Sequence, residues 1–83
     1  MLTEITFGGG LTRFLPVGHR GNLWSREGSP GATLSELLED IGIGADVPLL
    51  IILNGTVVTH DNYPTTQLTE GDQLALMPPI QAG

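Results

Sequence analysis

The chain has 83 residues, which allows one domain and one hydrophobic core. It has no cysteine, which excludes a disulfide, a thiolate metal site and a cysteine nucleophile. Nine acidic residues against three cationic ones give a net charge of −6, which argues against nucleic acid and anionic membrane surfaces as partners.

The first predicted element is a half-buried strand from Leu2 to Phe7, because its residues alternate between apolar and polar. Gly8 to Gly10 break the alternation and are interpreted as a flexible loop. The residues from Leu11 to Leu15 can form one helical turn before Pro16. The next stretch is rich in glycine, proline and serine, and a second strand is predicted there from His19 to Ser25.

A helix of about nine residues is predicted from Thr33 to Ile41, where apolar residues recur at helical spacing. Thr33 and Glu36 have the spacing of a capping box, in which each side chain bonds the backbone N–H of the other residue. Gly42 and Gly44 end the helix. A helix this short is marginal alone and must pack on a sheet.

An apolar run from Leu49 to Leu53 predicts a central strand beneath that helix. Asn54-Gly55 predicts a type I′ hairpin turn, since both of its central positions need positive φ, and Thr56 to Val58 form the return strand. A polar loop from Asp61 to Gln67 follows, and then a turn at Glu70 to Asp72.

The last predicted strand runs from Gln73 to Met77, with Leu74 and Leu76 pointing inward and Ala75 and Met77 pointing outward. Pro78-Pro79 ends the pairing, because neither residue has an N–H to donate. This order of elements predicts an α+β protein of the β-grasp type, with a mixed four- or five-stranded sheet packed on one main helix. We expect one domain over residues 1–83, with a flexible C-terminal tail over 78–83.

The start of the chain has no basic region followed by an apolar run, as a signal peptide would have. The longest apolar run, Val47 to Leu53, is too short to span a bilayer. We therefore expect a cytoplasmic protein.

The second half of the sequence resembles the MoaD/ThiS family of ubiquitin-like sulfur carriers. Leu53-Asn54-Gly55 matches the family's hairpin, and the run from Leu68 to Ile80 matches its Gly-Asp turn, last strand and Pro-Pro root. The helix from Thr33 to Ile41 stands where the family's helix stands, and Phe7-Gly8 with Leu11 and Arg13 looks like its first strand and loop. The paired prolines resemble the small subunit of molybdopterin synthase more than the thiamine branch.

The resemblance implies a carrier and co-substrate rather than an enzyme. In the family, a ThiF/MoeB-like adenylating enzyme uses ATP to join the C-terminal carboxylate to AMP, and sulfur then displaces AMP to leave a thiocarboxylate. The tail then enters the large subunit of molybdopterin synthase, or an equivalent acceptor, and donates its sulfur. No tightly bound cofactor is expected, and the destination of the sulfur is molybdenum cofactor, tungsten cofactor, thiamine or a conjugated protein.

The resemblance places the reactive group at Gly83, whose carboxylate is the expected site of chemistry. Small residues let a chain end enter a narrow channel, and prolines stiffen its root, which lowers the ordering cost on docking. The residues expected to bind partners are Ala75, Met77, Pro78, Pro79, Ile80, Gln81 and Ala82.

Ala82 departs from the family, which ends in two glycines. Either the partner has a slightly wider channel or the chain is a divergent relative that is not activated, and we favour the first interpretation.

Two other functions are weighed against the sulfur carrier. A ubiquitin-like interaction module that never reacts would bind through Met77 and the outer face of the sheet. A stand-alone enzyme is the weakest hypothesis, because no triad, metal cluster or cofactor loop is visible. His19 and His60 are interpreted as loop or surface residues rather than metal ligands.

Overall fold

One α-helix packs on one face of a five-stranded sheet in the computed structural model, which describes residues 2–28, 31–44 and 46–79. The strands are β1 Leu2–Phe7, β2 Leu23–Glu27, β3 Leu50–Leu53, β4 Thr56–Val58 and β5 Gln73–Met77. Helix α1 spans Leu34–Ile41, and two 3-10 helices span Gly9–Phe14 and His60–Asn62. The predicted α+β class and order of elements are confirmed.

The strands lie in the order β2-β1-β5-β3-β4. The central pair, β1 and β5, is parallel, and every other pair is antiparallel. The apolar run that predicted a central strand is β3, which lies one place away from the centre. β5 takes the middle position because β1 and β3 both pair with it.

The core lies between the sheet and α1. Ile5 and Phe7 of β1 and Leu76 of β5 are fully buried, which confirms the predicted alternation of β1 and the predicted inward face of β5. The apolar stripe of α1 is confirmed by its burial at Leu34, Leu37 and Leu38. The other buried apolar residues are Leu11, Ile43, Ile51, Tyr63, Leu68 and Leu74.

Helix α1 begins and ends as predicted. The Glu36 N–H donates to Thr33 Oγ1 at 3.2 Å, and the Thr33 N–H donates to Glu36 Oε1 at 3.1 Å, which completes the capping box. Gly42 ends the helix with a φ of 96°, a left-handed conformation that favours glycine. The hairpin is also confirmed, because Asn54 and Gly55 have φ values of 49° and 86°.

The predicted bounds of the second strand, His19 to Ser25, are wrong. β2 begins at Leu23 and continues to Glu27, in antiparallel register with β1. Gly18 and Gly21 have φ values of 84° and 76°, so the chain turns through this segment instead of extending.

The segment from Asp61 to Gln67 is more ordered than a polar loop. Asn62 organises it, since its carbonyl accepts the Thr66 hydroxyl at 2.7 Å and its side-chain amide donates to Thr59 Oγ1 at 3.0 Å. These bonds hold Tyr63 against the core, where its side chain is 7% exposed. Within the described residues, no helix is long and apolar enough to cross a lipid bilayer.

Candidate functional site

The root of the C-terminal tail leaves the sheet at its central strand. Met77 is the last residue of β5 and pairs with Leu50 of β3. Pro78 is exposed and Pro79 is half-buried, and neither continues the ladder. Ile80, Gln81, Ala82 and Gly83, the other predicted tail residues, lie outside the described residues.

Two glycines after β1 pack against this root. The Gly8 N–H donates to the Leu76 carbonyl at 2.8 Å, which extends the parallel pairing of β1 with β5 by one bond. A Cβ on Gly8 would lie 2.3 Å from Met77 Sδ, and a Cβ on Gly9 would lie 2.7 Å from Pro78 Cγ. Gly9 also has a φ of 53°, which strains any other residue.

The interpretation of Gly8 to Gly10 as a flexible loop is therefore wrong. Gly9 begins the 3-10 helix Gly9–Phe14, and the absence of side chains lets this turn close against the root of the tail. The helical turn predicted near Leu11 to Leu15 is confirmed, two residues earlier than expected.

A row of small and apolar side chains crosses the helix-free face of the sheet. Pairing aligns Leu23, Thr6, Ala75, Ile52 and Val57, one residue from each strand. Leu23 and Val57, at the two ends of the row, are 51% and 53% exposed. We call these five residues, together with Met77, the outer face.

Ala75 and Met77 lie on the predicted side of the sheet, but they are half-buried rather than exposed. The reason is the central position of β5, whose neighbours cover its side chains from both sides. Leu23, Ile52 and Val57 were not predicted as partner-binding residues. The signal for Ile52 was the run from Leu49 to Leu53, which is apolar on both faces although only one face meets the helix.

Asp72 joins the hairpin to the turn that precedes β5. Its carboxylate accepts the Asn54 side-chain amide at 3.0 Å, the Thr69 hydroxyl at 3.0 Å and the Thr69 N–H at 2.8 Å. Asn54 Oδ1 in turn accepts the Gln73 N–H at 2.9 Å. Asn54-Gly55 and Glu70-Gly71-Asp72 are thus one hydrogen-bonded unit that fixes the start of β5.

These contacts set the ionisation of Asp72. Burial acts to raise the pKa of the carboxyl, but the hydrogen bonds from Thr69 and Asn54 outweigh burial and hold the pKa below its usual value. The carboxylate is therefore charged at neutral pH and acts as a structural acceptor at the end of β5 away from the tail.

The two histidines lie in different places and make different contacts. His19 Nε2 is 2.8 Å from the Leu23 carbonyl oxygen, and the His60 ring packs edge-on against Tyr63 at 5.1 Å between centroids. In the ranges that the structure describes, no three His, Cys, Asp or Glu side chains are grouped so that they could hold a metal ion.

A mixed sheet with the strand order β2-β1-β5-β3-β4, packed on one main helix, defines a ubiquitin-like β-grasp protein. The family model described as ThiS family matches residues 22–83, which is more than half of the chain and includes the tail. The chain belongs to the ThiS family of ubiquitin-like sulfur carriers, as the resemblance in the sequence predicted.

The structure is similar to three solved ones over nearly their whole lengths. The first is a complex of subunits 1 and 2 of molybdopterin-converting factor from Helicobacter pylori 26695, with a TM-score of 0.60, 20% identity and 100% coverage of both chains. SAMP1 from Haloferax volcanii has a TM-score of 0.69 and 18% identity, again with 100% coverage of both. The thiamine biosynthesis protein ThiS from Geobacter metallireducens has a TM-score of 0.63 and 18% identity, over 96% of this chain and 99% of that one.

Sequence identities this low support a common fold, but not a common partner or pathway. A search of the curated proteins found no match to the chain.

Proposed function

We propose that the chain is a sulfur carrier that is activated at the Gly83 carboxylate and donates sulfur in the synthesis of molybdopterin, for a molybdenum or tungsten cofactor. The observation that carries the proposal is the family match, which extends to residue 83 and so includes the tail. Pro78-Pro79 at the root of the tail supports the molybdopterin branch. The name of the matching family favours thiamine synthesis as the second candidate pathway.

The proposed chemistry has two steps, both catalysed by a partner. A carboxylate oxygen of Gly83 attacks the α-phosphorus of ATP, and pyrophosphate leaves from that phosphorus, which forms the acyl-adenylate. Hydrosulfide (HS⁻) supplied through the adenylating enzyme then attacks the acyl carbon, and AMP leaves with the former carboxylate oxygen. The product is a thiocarboxylate, which the large subunit of molybdopterin synthase accepts as its sulfur source.

The described residues give this tail a rigid origin. β5 is held on both sides by β1 and β3, and the turn at Gly8 and Gly9 packs against Met77 and Pro78. A firmly held root reduces the conformational freedom that a partner must restrict when it positions the carboxylate. The outer face lies beside the same root and supplies apolar area for docking of a partner.

The test is mass spectrometry of the chain after co-expression with the adenylating enzyme of the same organism. Replacement of one oxygen by sulfur at the C-terminus adds about 16 Da to the intact mass. A relative that ends in two glycines serves as the positive control. If that relative gains the increment under the same conditions and this chain does not, the proposal is wrong.

Ala82→Gly is the matched variant for the tail. We expect it to be adenylated as fast as the wild type or faster, because glycine removes the methyl that restricts φ in the partner's channel. Pyrophosphate release measures the rate. Slower adenylation of the variant would instead make Ala82 a specificity feature of the partner.

A non-reacting interaction module is the second candidate function, and the outer face favours it. That function predicts unchanged partner binding and cellular function after deletion of Ala82 and Gly83. Loss of cellular function with retained binding would exclude it, since only the carrier needs the carboxylate.

A further inference from the structure

A second surface lies on the helix side of the sheet, between α1 and the edge strand β4. It is an open groove of about 870 Å³, and it reaches the root of the tail at Pro79. Leu38, Val47, Val58 and Tyr63 contribute apolar side chains to its lining. Val57 of the outer face lines it as well, so the two surfaces meet at β4. We call this surface the β4 groove.

The β4 groove carries acidic side chains along its rim. Glu39 at the end of α1 and Asp46 in the following loop both line it, and both are exposed. The residues that line it include no arginine or lysine, because all three cations of the chain precede residue 27. The arginines stand at Arg13, Arg20 and Arg26, before or within β2, and β2 is the opposite edge of the sheet from β4.

We propose that the β4 groove docks a segment of the carrier's partner protein in which apolar residues are flanked by lysine or arginine. The apolar side chains of that segment fill the lining beside Leu38 and Val58, and its cations pair with Glu39 and Asp46. The inference rests on the proposed function, because it describes how the partner that acts on the tail is recognised.

Charge disfavours the two other occupants that the chain itself offers. A second copy also has a net charge of −6, so its approach to an acidic rim is unfavourable. Residues 80–83 contain no cation, so they offer nothing to pair with the acidic rim. A basic partner segment has the complementary sign, and a groove of several hundred Å³ accommodates several side chains.

The position of the β4 groove places a docked partner segment beside the root of the tail. Pro79 lines the groove and directly precedes the last four residues of the chain. A partner segment seated there fixes the root of the tail relative to the partner's active site. The outer face provides a second contact on the other side of the sheet, so the two surfaces together hold β5 and its extension in one orientation.

The test compares two charge-reversal variants with equal net charge. Glu39→Arg with Asp46→Arg changes the rim of the β4 groove, and Asp40→Arg with Asp61→Arg changes two exposed acids that do not line it. Calorimetry measures binding to the adenylating enzyme without ATP, at low and at high salt. We expect the groove variant to bind about tenfold more weakly at low salt, with a smaller difference at high salt, and the control to change less than about twofold.

A similar loss in both variants, or no loss in the groove variant, overturns the proposal. Pyrophosphate release at saturating carrier separates it from the proposed function. Normal release by a groove variant whose binding is unchanged leaves the sulfur carrier standing and removes the docking site. If binding depends on the groove but the wild-type chain releases no pyrophosphate, the docking site stands and the proposed sulfur carrier is wrong.

NMR spectra of the chain without partner test the two disfavoured occupants. Backbone signals of residues 43–44, 46–49 and 58–60 should not move after the substitution Ile80→Gly or when the protein is concentrated. Shifts on substitution would assign the β4 groove to the tail, and shifts on concentration would assign it to a second copy. Either result overturns the proposal.

Discussion

Asp72 accepts three hydrogen bonds from two residues that lie on different turns, and so it ties the hairpin turn to the turn before β5. Asp72→Asn replaces one accepting oxygen by an amide that only donates, which leaves the Thr69 or Asn54 donor facing another donor. We expect the free energy of unfolding at neutral pH to fall by about 1–2 kcal/mol, measured by urea denaturation. Asp61→Asn, at an exposed position, is the control and should change it by less than about 0.5 kcal/mol.

The pH dependence follows from the lowered pKa of Asp72. A carboxyl whose pKa is lower in the folded state stabilises the fold above its unfolded pKa of about 3.9, and this stabilisation is lost as the pH falls through the folded pKa. The difference between wild type and Asp72→Asn should therefore be constant near neutrality and decrease below about pH 4. An unchanged difference down to pH 2 would show that the charge of Asp72 does not contribute.

At the scale of elements, the 3-10 helix Gly9–Phe14 and strand β5 meet where the tail begins. Gly9→Ala introduces a side chain at a φ of 53° and 2.7 Å from the Pro78 ring. We expect a loss of about 1–2 kcal/mol in the free energy of unfolding and slower adenylation, because the root of the tail must move. Thermal unfolding and pyrophosphate release measure the two effects.

Gly10→Ala is the matched control for that prediction. Gly10 lies next to Gly9, but its φ is not positive, and the nearest atom to an added Cβ is Arg13 Nη1 at an ordinary 3.5 Å. Equal effects of the two substitutions would mean that any side chain at this position of the 3-10 helix is destabilising. Contact with Pro78 would then not be the cause.

Elements whose apolar residues recur with a clear period were predictable from the sequence. Elements that depend on contacts between residues distant in sequence were not. β1, α1 and β5 follow from alternation, helical spacing and a capping box, which are local patterns. β2 was misplaced because the residues before Leu23 have no period and turn at Gly18 and Gly21.

The candidate site was likewise predictable only where local sequence motifs define it. The tail and its proline root were visible as a motif. The packing of Gly9 on Pro78 joins residues far apart in sequence, and nothing in a run of three glycines distinguishes a packed turn from a mobile one. The β4 groove was equally hidden, since it exists only where α1, the loop after it and β4 meet.

At the scale of the whole molecule, the outer face and the β4 groove meet at the edge strand, because Val57 belongs to the outer face and also lines the groove. Val57→Asp places a charge where the outer face and the β4 groove meet, whereas Thr56→Asp places the same charge on the preceding residue of β4, which points to the helix side and does not line the groove. We expect Val57→Asp to weaken binding of the adenylating enzyme about tenfold and Thr56→Asp to have a smaller effect, measured by calorimetry.

Both positions are exposed on a short edge strand, so each substitution should lower the free energy of unfolding by less than about 1 kcal/mol. Similar losses of binding in the two variants would show that charge alone weakens the complex. The surface around Val57 would then not be the contact surface.

The central place of β5 also has a consequence for how the protein assembles. β1 and β2 form one antiparallel pair, β3 and β4 form another, and β5 lies between the two pairs in the sheet. Each pair can form from contacts between successive strands, but the sheet is continuous only after β5 has entered, which joins segments distant in sequence and is therefore slow. The strand that carries the tail is thus the strand that completes the fold, so a chain that has not finished folding has no anchored tail to offer an adenylating enzyme.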